Sequence, residues 1–158
     1  MANITPTFTD KYFSPANEHW KMQLLPFKAS TAIPAGYAVG VEVSGNTTTG
    51  NLTTMATTNA NGKNFVGIMA ETIAATDTDY ATAGKLKNVW VPVDIAAEAY
   101  FLVNNGTFTA ADVFKVVSFT SDASGLDVDT IGNGAVISGY TDATHGKCKF
   151  TAPLVIQS

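Results

Sequence analysis

Arginine is absent from this chain, and all nine of its basic residues are lysines. Only 14% of its 158 residues are charged, whereas soluble domains average about 25%. Arginine provides the paired hydrogen bonds by which proteins hold phosphate groups and base edges. Because the net charge is also −4, the composition argues against a nucleic acid partner. A surface with few charges is easily covered by a neighbouring protein, since little charge must be desolvated.

Cysteine and long apolar runs are equally scarce. The single cysteine, Cys148, excludes a fold built on internal disulfides, and a chain of this length can form a core without them. No apolar run approaches the roughly 20 residues of a membrane helix. The N-terminus lacks the basic start and apolar stretch of a signal peptide. We therefore expect a protein made in a cytoplasm, without a membrane partner.

Alternating apolar residues predict β-strands along most of the chain. The clearest segments are 35–45, 63–71, 88–94 and 113–120, where a period of two is typical of half-buried strands. Pro92 lies in the third segment and predicts that this strand is at an edge or beside a bulge, because proline cannot donate to a ladder. No segment has a sustained helical period. The sequence thus predicts an all-β fold, a compact β-barrel or β-sandwich.

Residues 1–27 differ from the rest and predict an extended N-terminal arm before a β-domain of residues 28–158. Pro6, Pro15 and Pro26 exclude a single helix in this stretch. The arm is rich in aromatic side chains, which must pack on something. They either pack on the chain's own domain as an edge strand or contact a neighbouring subunit. The aromatic residues proposed for such an interface are Phe8, Tyr12, Phe13, Trp20 and Phe27.

The two halves of the chain share a faint pattern. The first half runs AGYAVGVEV, a polar stretch, then GKNFVGIMAETI, and the second runs ADVFKVVSF, DASGLDVDT, then GNGAVISGYTDA. Each is a strand pattern, a polar hairpin or loop, and a strand marked by glycine. Either an internal duplication or the shared composition of β-hairpins explains this similarity.

Motifs that could carry chemistry are incomplete. His145 and Cys148 lie three residues apart, which places them on opposite faces of a strand. Gly84 and Lys85 resemble the end of a phosphate-binding loop, but the earlier glycine and the following Ser or Thr are missing. The Gly132-Asn133-Gly134 sequence begins a dinucleotide fingerprint without its third glycine. We therefore expect no catalytic site, no enzyme activity and no cofactor.

Two pairs of aspartates, Asp77 with Asp79 and Asp127 with Asp129, each place two carboxylates on one face of an extended segment. Calcium prefers such oxygen ligands. The segment from Asp127 does not fit an EF-hand loop, because its fifth and twelfth positions are Ile131 and Ser138 rather than oxygen ligands of the expected kind. Solvated loop carboxylates are the preferred interpretation, and no metal site is predicted.

The segments IPAGYAVGVEV, KNFVGIMAETI and NVWVPVDIAAEAYFLV, after a proline-rich aromatic arm, resemble the decoration or cement proteins of tailed-bacteriophage heads. The resemblance implies a structural virion protein on the capsid exterior. It further implies a homotrimer bound to the lattice of the major capsid protein. An alternative is a head-fibre or tail-fibre module that binds a receptor or carbohydrate. That module would need exposed aromatic residues such as Trp20 or Trp90, for which core or subunit-contact roles are preferred.

Overall fold

The computed structural model of the chain describes residues 12–44, 47–55, 65–132 and 134–151. These residues form β-strands joined by turns, with one short 3-10 turn and no α-helix among them. The all-β prediction is confirmed, and the strands form two sheets that pack together. No helix in the described ranges is long and apolar enough to cross a membrane.

The strands are β1 Ser14–Pro15, β2 Trp20–Phe27, β3 Ala38–Ser44, β4 Thr47–Thr54, β5 Phe65–Met69, β6 Lys85–Pro92, β7 Ala99–Asn105, β8 Val116–Phe119, β9 Leu126–Ile131, β10 Ala135–Asp142 and β11 His145–Phe150. The 3-10 turn is Ala110–Asp112, between β7 and β8.

Strands β2 to β6 close into a barrel, which we call the first barrel. Its ring order is β2, β4, β3, β5, β6, and all neighbours are antiparallel except β2 and β4. That parallel pair meets at Phe27 and Leu52. The β3 and β5 strands fall within predicted strand segments 35–45 and 63–71. Val39, Val41 and Val43 alternate along β3, and β5 is a short apolar run buried on both faces; both patterns favour strands.

Strands β7 to β11 form a second ring, the second barrel, in the order β7, β11, β10, β8, β9. A parallel pairing of β7 with β9 closes this ring at Val103 and Leu126. The two-residue strand β1 is added outside the ring, antiparallel to the start of β7. Both barrels therefore have the same five pairings, and in both the first and third strands form the parallel pair.

The correspondence between the barrels extends to individual hydrogen bonds. The N–H of Gly36 donates to the carbonyl of Met69 at 2.8 Å, and the N–H of Phe114 donates to the carbonyl of Ile137 at 2.7 Å. Equivalent residues, read from the strand registers, include Phe27 and Val103, Val39 and Val117, Leu52 and Leu126, and Val89 and Cys148. The faint pattern shared by the two halves of the sequence therefore lies on matching strands, β3 to β5 and β8 to β10.

The interior of the first barrel and the space that joins the barrels are separate cores. The first-barrel core contains Phe27, Val39 and Val89 among its buried residues. The second core fills the second barrel and continues to the outer face of the first, where Trp20 and Ile68 are buried. The second barrel thus covers part of the outer face of the first. Burial of apolar area on this scale is the main stabilising contribution.

Aromatic rings line the junction between the barrels. Phe65 from the first barrel stacks on Phe150 from the second, with ring centroids 3.7 Å apart. The indole of Trp20 meets Phe150 edge-on at 6.2 Å and donates its N–H to the carbonyl of Glu98 at 2.9 Å. A fully buried tryptophan needs such an acceptor. The junction is therefore a packed core and not a loose contact.

Residues 12–27, the described part of the predicted arm, are integrated into this fold. Strand β2 pairs with β6 along all eight of its residues, so residues 20–27 are a wall of the first barrel rather than an arm. The strand that contains Pro92 also differs from its prediction, because β6 lies between β2 and β5. Pro92 is the last residue of β6, beyond the two positions at which β6 pairs with β5, and the ladder tolerates a proline there.

Candidate binding surface

The five aromatic residues proposed for an interface fall in different places. Phe13, Trp20 and Phe27 are almost fully buried inside the chain's own cores. Tyr12 is half-buried, and its ring meets Tyr37 edge-on with centroids 5.0 Å apart. Phe8 lies outside the described residues. Three of the five rings thus stabilise this chain's own fold, because a five-stranded barrel needs β2 and the junction needs apolar rings.

His145 and Cys148 point to opposite sides of β11. The Cys148 side chain is completely buried in the second barrel, and burial raises the pKa of its thiol well above the ordinary value. His145 lies on the outer side, with its Nδ1 2.8 Å from the hydroxyl of Thr144 and 3.1 Å from Asp142. In the first barrel, the position equivalent to Cys148 is occupied by Val89. Cys148 is therefore a packing residue and not a thiolate nucleophile.

The two glycine motifs are turns and junctions between strands. Gly84 has a positive φ of +80° just before β6, and Lys85 donates from Nζ to the carbonyls of Tyr80 at 2.7 Å and Lys28 at 2.9 Å. These bonds use the ammonium that a phosphate would need. Gly132 and Gly134 lie against β8 at the junction of β9 and β10, and Asn133 lies outside the described residues.

The aspartate pairs hold local turns. Asp77 accepts from the N–H of Ala74 at 2.9 Å, and Asp79 forms an ion pair with Lys87 at 3.1 Å. Asp127 accepts from the hydroxyl of Thr130 and the side-chain amide of Asn105, at 2.8 and 3.0 Å. Burial raises the pKa of the Asp127 carboxyl, but these hydrogen bonds together outweigh it and hold the pKa below its ordinary value. Within the described parts of the chain, no three His, Cys, Asp or Glu side chains are grouped to hold a metal ion.

A shallow cleft of about 210 Å³ lies on the outer face of the first barrel. Its lining includes Tyr12, Phe13 and Pro15 from the start of the described chain, with Ile68 and Trp90 from the first barrel. Its walls are mostly apolar, and it lacks the convergent polar groups that orient a small ligand. The cleft therefore resembles the edge of a larger apolar surface.

That surface continues along β2 and β6. We define the outer stripe as Met22, Leu24, Pro26, Leu86 and Trp90, on the outward face of these two strands. Asn88 lies opposite Leu24 on the same face and interrupts the stripe with a polar side chain that donates to Glu71. Met22 lies opposite Trp90, and Pro26 lies opposite Leu86. Met22, Leu24 and Leu86 are 47%, 54% and 57% exposed. The second barrel covers this outer face as far as Trp20, and the stripe begins next to that residue.

The second barrel provides a reference for this surface. The residues that occupy the stripe positions there, in the same order, are Glu98, Tyr100, Leu102, His145 and Lys149. An outward position of this fold is therefore compatible with charged and polar side chains. The apolar stripe of the first barrel is not required by the fold, and a group of neighbouring exposed apolar side chains is typical of a contact surface.

The inward and outward faces of β2 are the reverse of those that the polarity of its side chains predicts. Lys21 and Gln23 face the barrel interior, while Met22 and Leu24 face outward. Polarity alone would place the apolar pair, Met22 and Leu24, on the inward face. The inward side is set by Phe27, which is fully buried at the end of the same strand. From the sequence, the stripe could have been found only by assigning the inward face of β2 from Phe27 at its end, and not from the polarity of Lys21 and Gln23 in its middle.

The chain matches no family model, no curated protein and no solved structure.

Proposed function

We propose that the protein is a non-enzymatic structural protein of a virion, which binds the outside of an assembled phage capsid through the outer stripe. The observation that supports this proposal is the contrast between the barrels at equivalent outward positions. Leu24 and Leu86 are half-exposed apolar residues where the second barrel has Tyr100 and His145. An exposed apolar face without a deep pocket suits another protein surface better than a small molecule.

The stripe is suited to weak binding at each of many sites. Complete burial of one Met or Leu side chain contributes about 1.5–3 kcal/mol. Half-exposed side chains gain about half of that, and the loss of translational freedom offsets much of it. On a lattice, a homo-oligomer would present several stripes at once, which raises avidity without a deep pocket. Binding only to the assembled lattice would stabilise the shell by mass action.

The test is binding to shells assembled from the major capsid protein encoded in the same genome, measured by co-sedimentation. Leu24→Lys places a charge in the middle of the stripe, and we expect at least tenfold weaker binding, since about 1.4 kcal/mol corresponds to tenfold. Ile131→Lys is the matched control, because Ile131 is 82% exposed on the second barrel. The control should bind like the wild type. Equal binding of both variants and the wild type would show that the stripe is not the contact.

The alternative, a fibre module that binds carbohydrate, depends on aromatic rings that can stack on a sugar. Trp20 is fully buried and cannot do so, and Trp90 is partly buried in the stripe. A glycan array tests this function directly. A signal that Trp90→Ala abolishes would replace the capsid proposal.

A further inference from the structure

The second barrel is closed by a short parallel pairing, which we call the seam. Strand β7 lies beside β9, and their register contains two pairs, Val103 with Leu126 and Asn105 with Asp127. A register irregularity separates the two pairs. A barrel stays closed only while every pair of neighbouring strands in its ring remains in contact. The groups at the end of β7 therefore influence whether this ring is intact.

A side-chain hydrogen bond reinforces the second pair of the seam. Nδ2 of Asn105 donates to Oδ2 of Asp127 at 3.0 Å. The other carboxylate oxygen of Asp127 accepts from the N–H of Asp129 at 3.2 Å. Hydrogen bonds to a carboxylate are stronger than those between neutral groups. Because an ionised aspartate can only accept, the bond between β7 and β9 depends on an amide at residue 105.

The residue after Asn105 is constrained to be glycine. Gly106 has φ of +97°, a conformation that residues with a side chain rarely adopt. A Cβ at this position would lie 2.8 Å from Cγ of Asp129 and 2.9 Å from Cγ2 of Val128, so there is no room for one. The seam thus favours asparagine followed directly by glycine.

An asparagine before glycine can react with its own backbone, because glycine has no side chain to keep its nitrogen from the asparagine amide. The nitrogen of Gly106 loses its proton and forms a bond to Cγ of Asn105. The bond from Cγ to Nδ2 breaks, and Nδ2 takes up a proton and leaves as ammonia. The product is a five-membered succinimide, and water then opens either of its carbonyls to give aspartate or isoaspartate. Such intramolecular attack is favoured by proximity.

We propose that Asn105-Gly106 is a self-modification site, at which slow conversion of the asparagine weakens the seam of the second barrel. The Asn105 side chain is exposed, so the water that opens the succinimide can reach it. The other asparagines in the described ranges are followed by larger residues; they are Asn17, Asn51, Asn88 and Asn104. The pairs Asn61-Gly62 and Asn133-Gly134 lie wholly or partly outside those ranges.

Both products of the conversion oppose the pairing of β7 with β9. An aspartate at residue 105 replaces the donor to Asp127 by a second negative charge at the same place. The Asp129 carboxylate, which lies against Gly106, adds to this repulsion. Isoaspartate also inserts one carbon into the backbone before Gly106, which displaces the end of β7 from its register with Asp127.

The first barrel makes the corresponding turn with other residues. Counted from the matching positions Phe27 and Val103, the equivalents of Asn105 and Gly106 are Ala29 and Ser30. Ser30 also has positive φ, +52°. The methyl side chain of Ala29 carries no amide that could react. The inference therefore applies to the second barrel, and it holds whatever surface the protein binds.

The first experiment is incubation of the full-length protein at mildly alkaline pH, followed by peptide mapping with mass spectrometry. Asn51, which precedes Leu52, is the internal control. Asn105 should convert to aspartate and isoaspartate at least about tenfold faster than Asn51, because glycine leaves the attacking nitrogen accessible. The rate should rise with pH, since that nitrogen must lose a proton. Conversion no faster than that of Asn51, or none at all, overturns the proposal.

The second experiment measures what the conversion does to the seam. Asn105→Asp reproduces one product, and at neutral pH we expect its melting temperature to fall by at least about 2 °C. Asp127→Asn added to Asn105→Asp exchanges donor and acceptor, and it should recover most of the loss. An Asn105→Asp protein as stable as the wild type would show that conversion leaves the seam closed. A double variant that recovers nothing would contradict the role given to this hydrogen bond. Neither measurement involves shells, so both are independent of capsid binding.

Discussion

The two barrels of this protein share their strand pairings and differ in their exteriors. Inside, equivalent residues are exchanged within the apolar class, as with Leu52 and Leu126 or Val89 and Cys148. Outside, Leu24 of the first barrel corresponds to Tyr100 of the second. Packing constrains interior residues in any copy of a fold, whereas outward residues are free to change. The outward differences therefore indicate where the barrels have separate roles.

A turn before the second strand of each barrel differs as well. In both barrels a residue with positive φ donates its N–H to the fourth strand, and this residue is Gly36 in the first and Phe114 in the second. Phe114 has φ of +76° and is 82% exposed. Positive φ is unfavourable for a bulky residue. Phe114 thus displays an apolar ring on a strained turn, a combination often found at functional sites.

Gly36→Ala should have the largest effect on the first barrel. An added Cβ would lie 2.5 Å from the Cβ of Tyr12, and φ is +89°. Backbone strain contributes about 1–2 kcal/mol and overpacking about 1–3 kcal/mol, so we expect a loss of about 3 kcal/mol in the free energy of unfolding by urea. Gly50→Ala is the control, with φ of +82° and no atom within 4 Å. Equal losses for the two variants would contradict the steric part of this prediction.

Asp112→Asn should make the second barrel less stable at neutral pH and less sensitive to acid. The Lys115 ammonium, followed by the Thr109 N–H, lowers the pKa of the Asp112 carboxyl. The native state then binds fewer protons than the unfolded state, so this stabilisation is present above the unfolded pKa of about 3.9 and is lost as pH falls below it. We expect a loss of about 1 kcal/mol at pH 7, as for other capping residues.

Urea unfolding from pH 7 to pH 2 measures this difference. The gap between wild type and Asp112→Asn should narrow below pH 4. Pro34 holds the equivalent place in the turn of the first barrel, since the N–H of Tyr37 donates to its carbonyl as that of Lys115 does to Asp112. The first barrel therefore lacks this carboxylate. Parallel pH curves for the two proteins would show that Asp112 does not carry the effect.

Phe114→Gly should stabilise the protein by about 1 kcal/mol or less. Removal of the strained dihedral gains about 1–2 kcal/mol, and the greater backbone freedom of glycine in the unfolded chain offsets about 0.5–1 kcal/mol of that. Thermal unfolding measures the change. Phe114→Ala, which removes the ring but keeps Cβ, is the control and should gain nothing. A gain of equal size for alanine would mean that exposure of the ring, and not the dihedral, is unfavourable.

Cys148→Val should have the smallest effect. It gives the second barrel the residue that the first has at Val89. Valine is larger than cysteine by about one methylene, and because the first barrel packs valine at this position we expect the free energy of unfolding to change by less than about 1 kcal/mol. We also expect the thiol of the folded protein to resist alkylation, because burial raises its pKa and little thiolate forms. Rapid alkylation under native conditions would contradict the buried position, and a larger loss of stability would show that the two cores are not interchangeable here.

Much of the fold could be predicted from local sequence. Alternation in 35–45, 63–71, 88–94 and 113–120 placed strands where β3, β5, β6 and β8 lie, because a period of two reports directly which side chains can share a face. The faint repeat fell on matching strands for the same reason. Closure of two rings was not predictable, since it depends on pairings between strands far apart in sequence.

The candidate surface was harder to predict than the strands. The aromatic residues of the arm were the natural candidates, yet Phe13, Trp20 and Phe27 are buried. A segment rich in aromatic residues must be buried, but its sequence does not show whether the chain's own core or a partner buries it. Met22 and Leu24 were overlooked because polar Gln23 and Lys21 alternate with them, and polarity alone puts the apolar pair inside. Only the covered end of β2 at Phe27 shows which side is the interior.

The sequence by itself determined that this chain is all-β, that it needs no disulfide, and that its two halves carry similar strand patterns. Those properties follow from composition and from the period of two, which are local. The tertiary structure alone decided that there are two barrels, that β1 covers the edge of β7, and that the edge of β2 between Trp20 and Pro26 has no described partner. An alternating strand has two faces and two edges, and which of them are covered depends on neighbours that the local pattern does not specify.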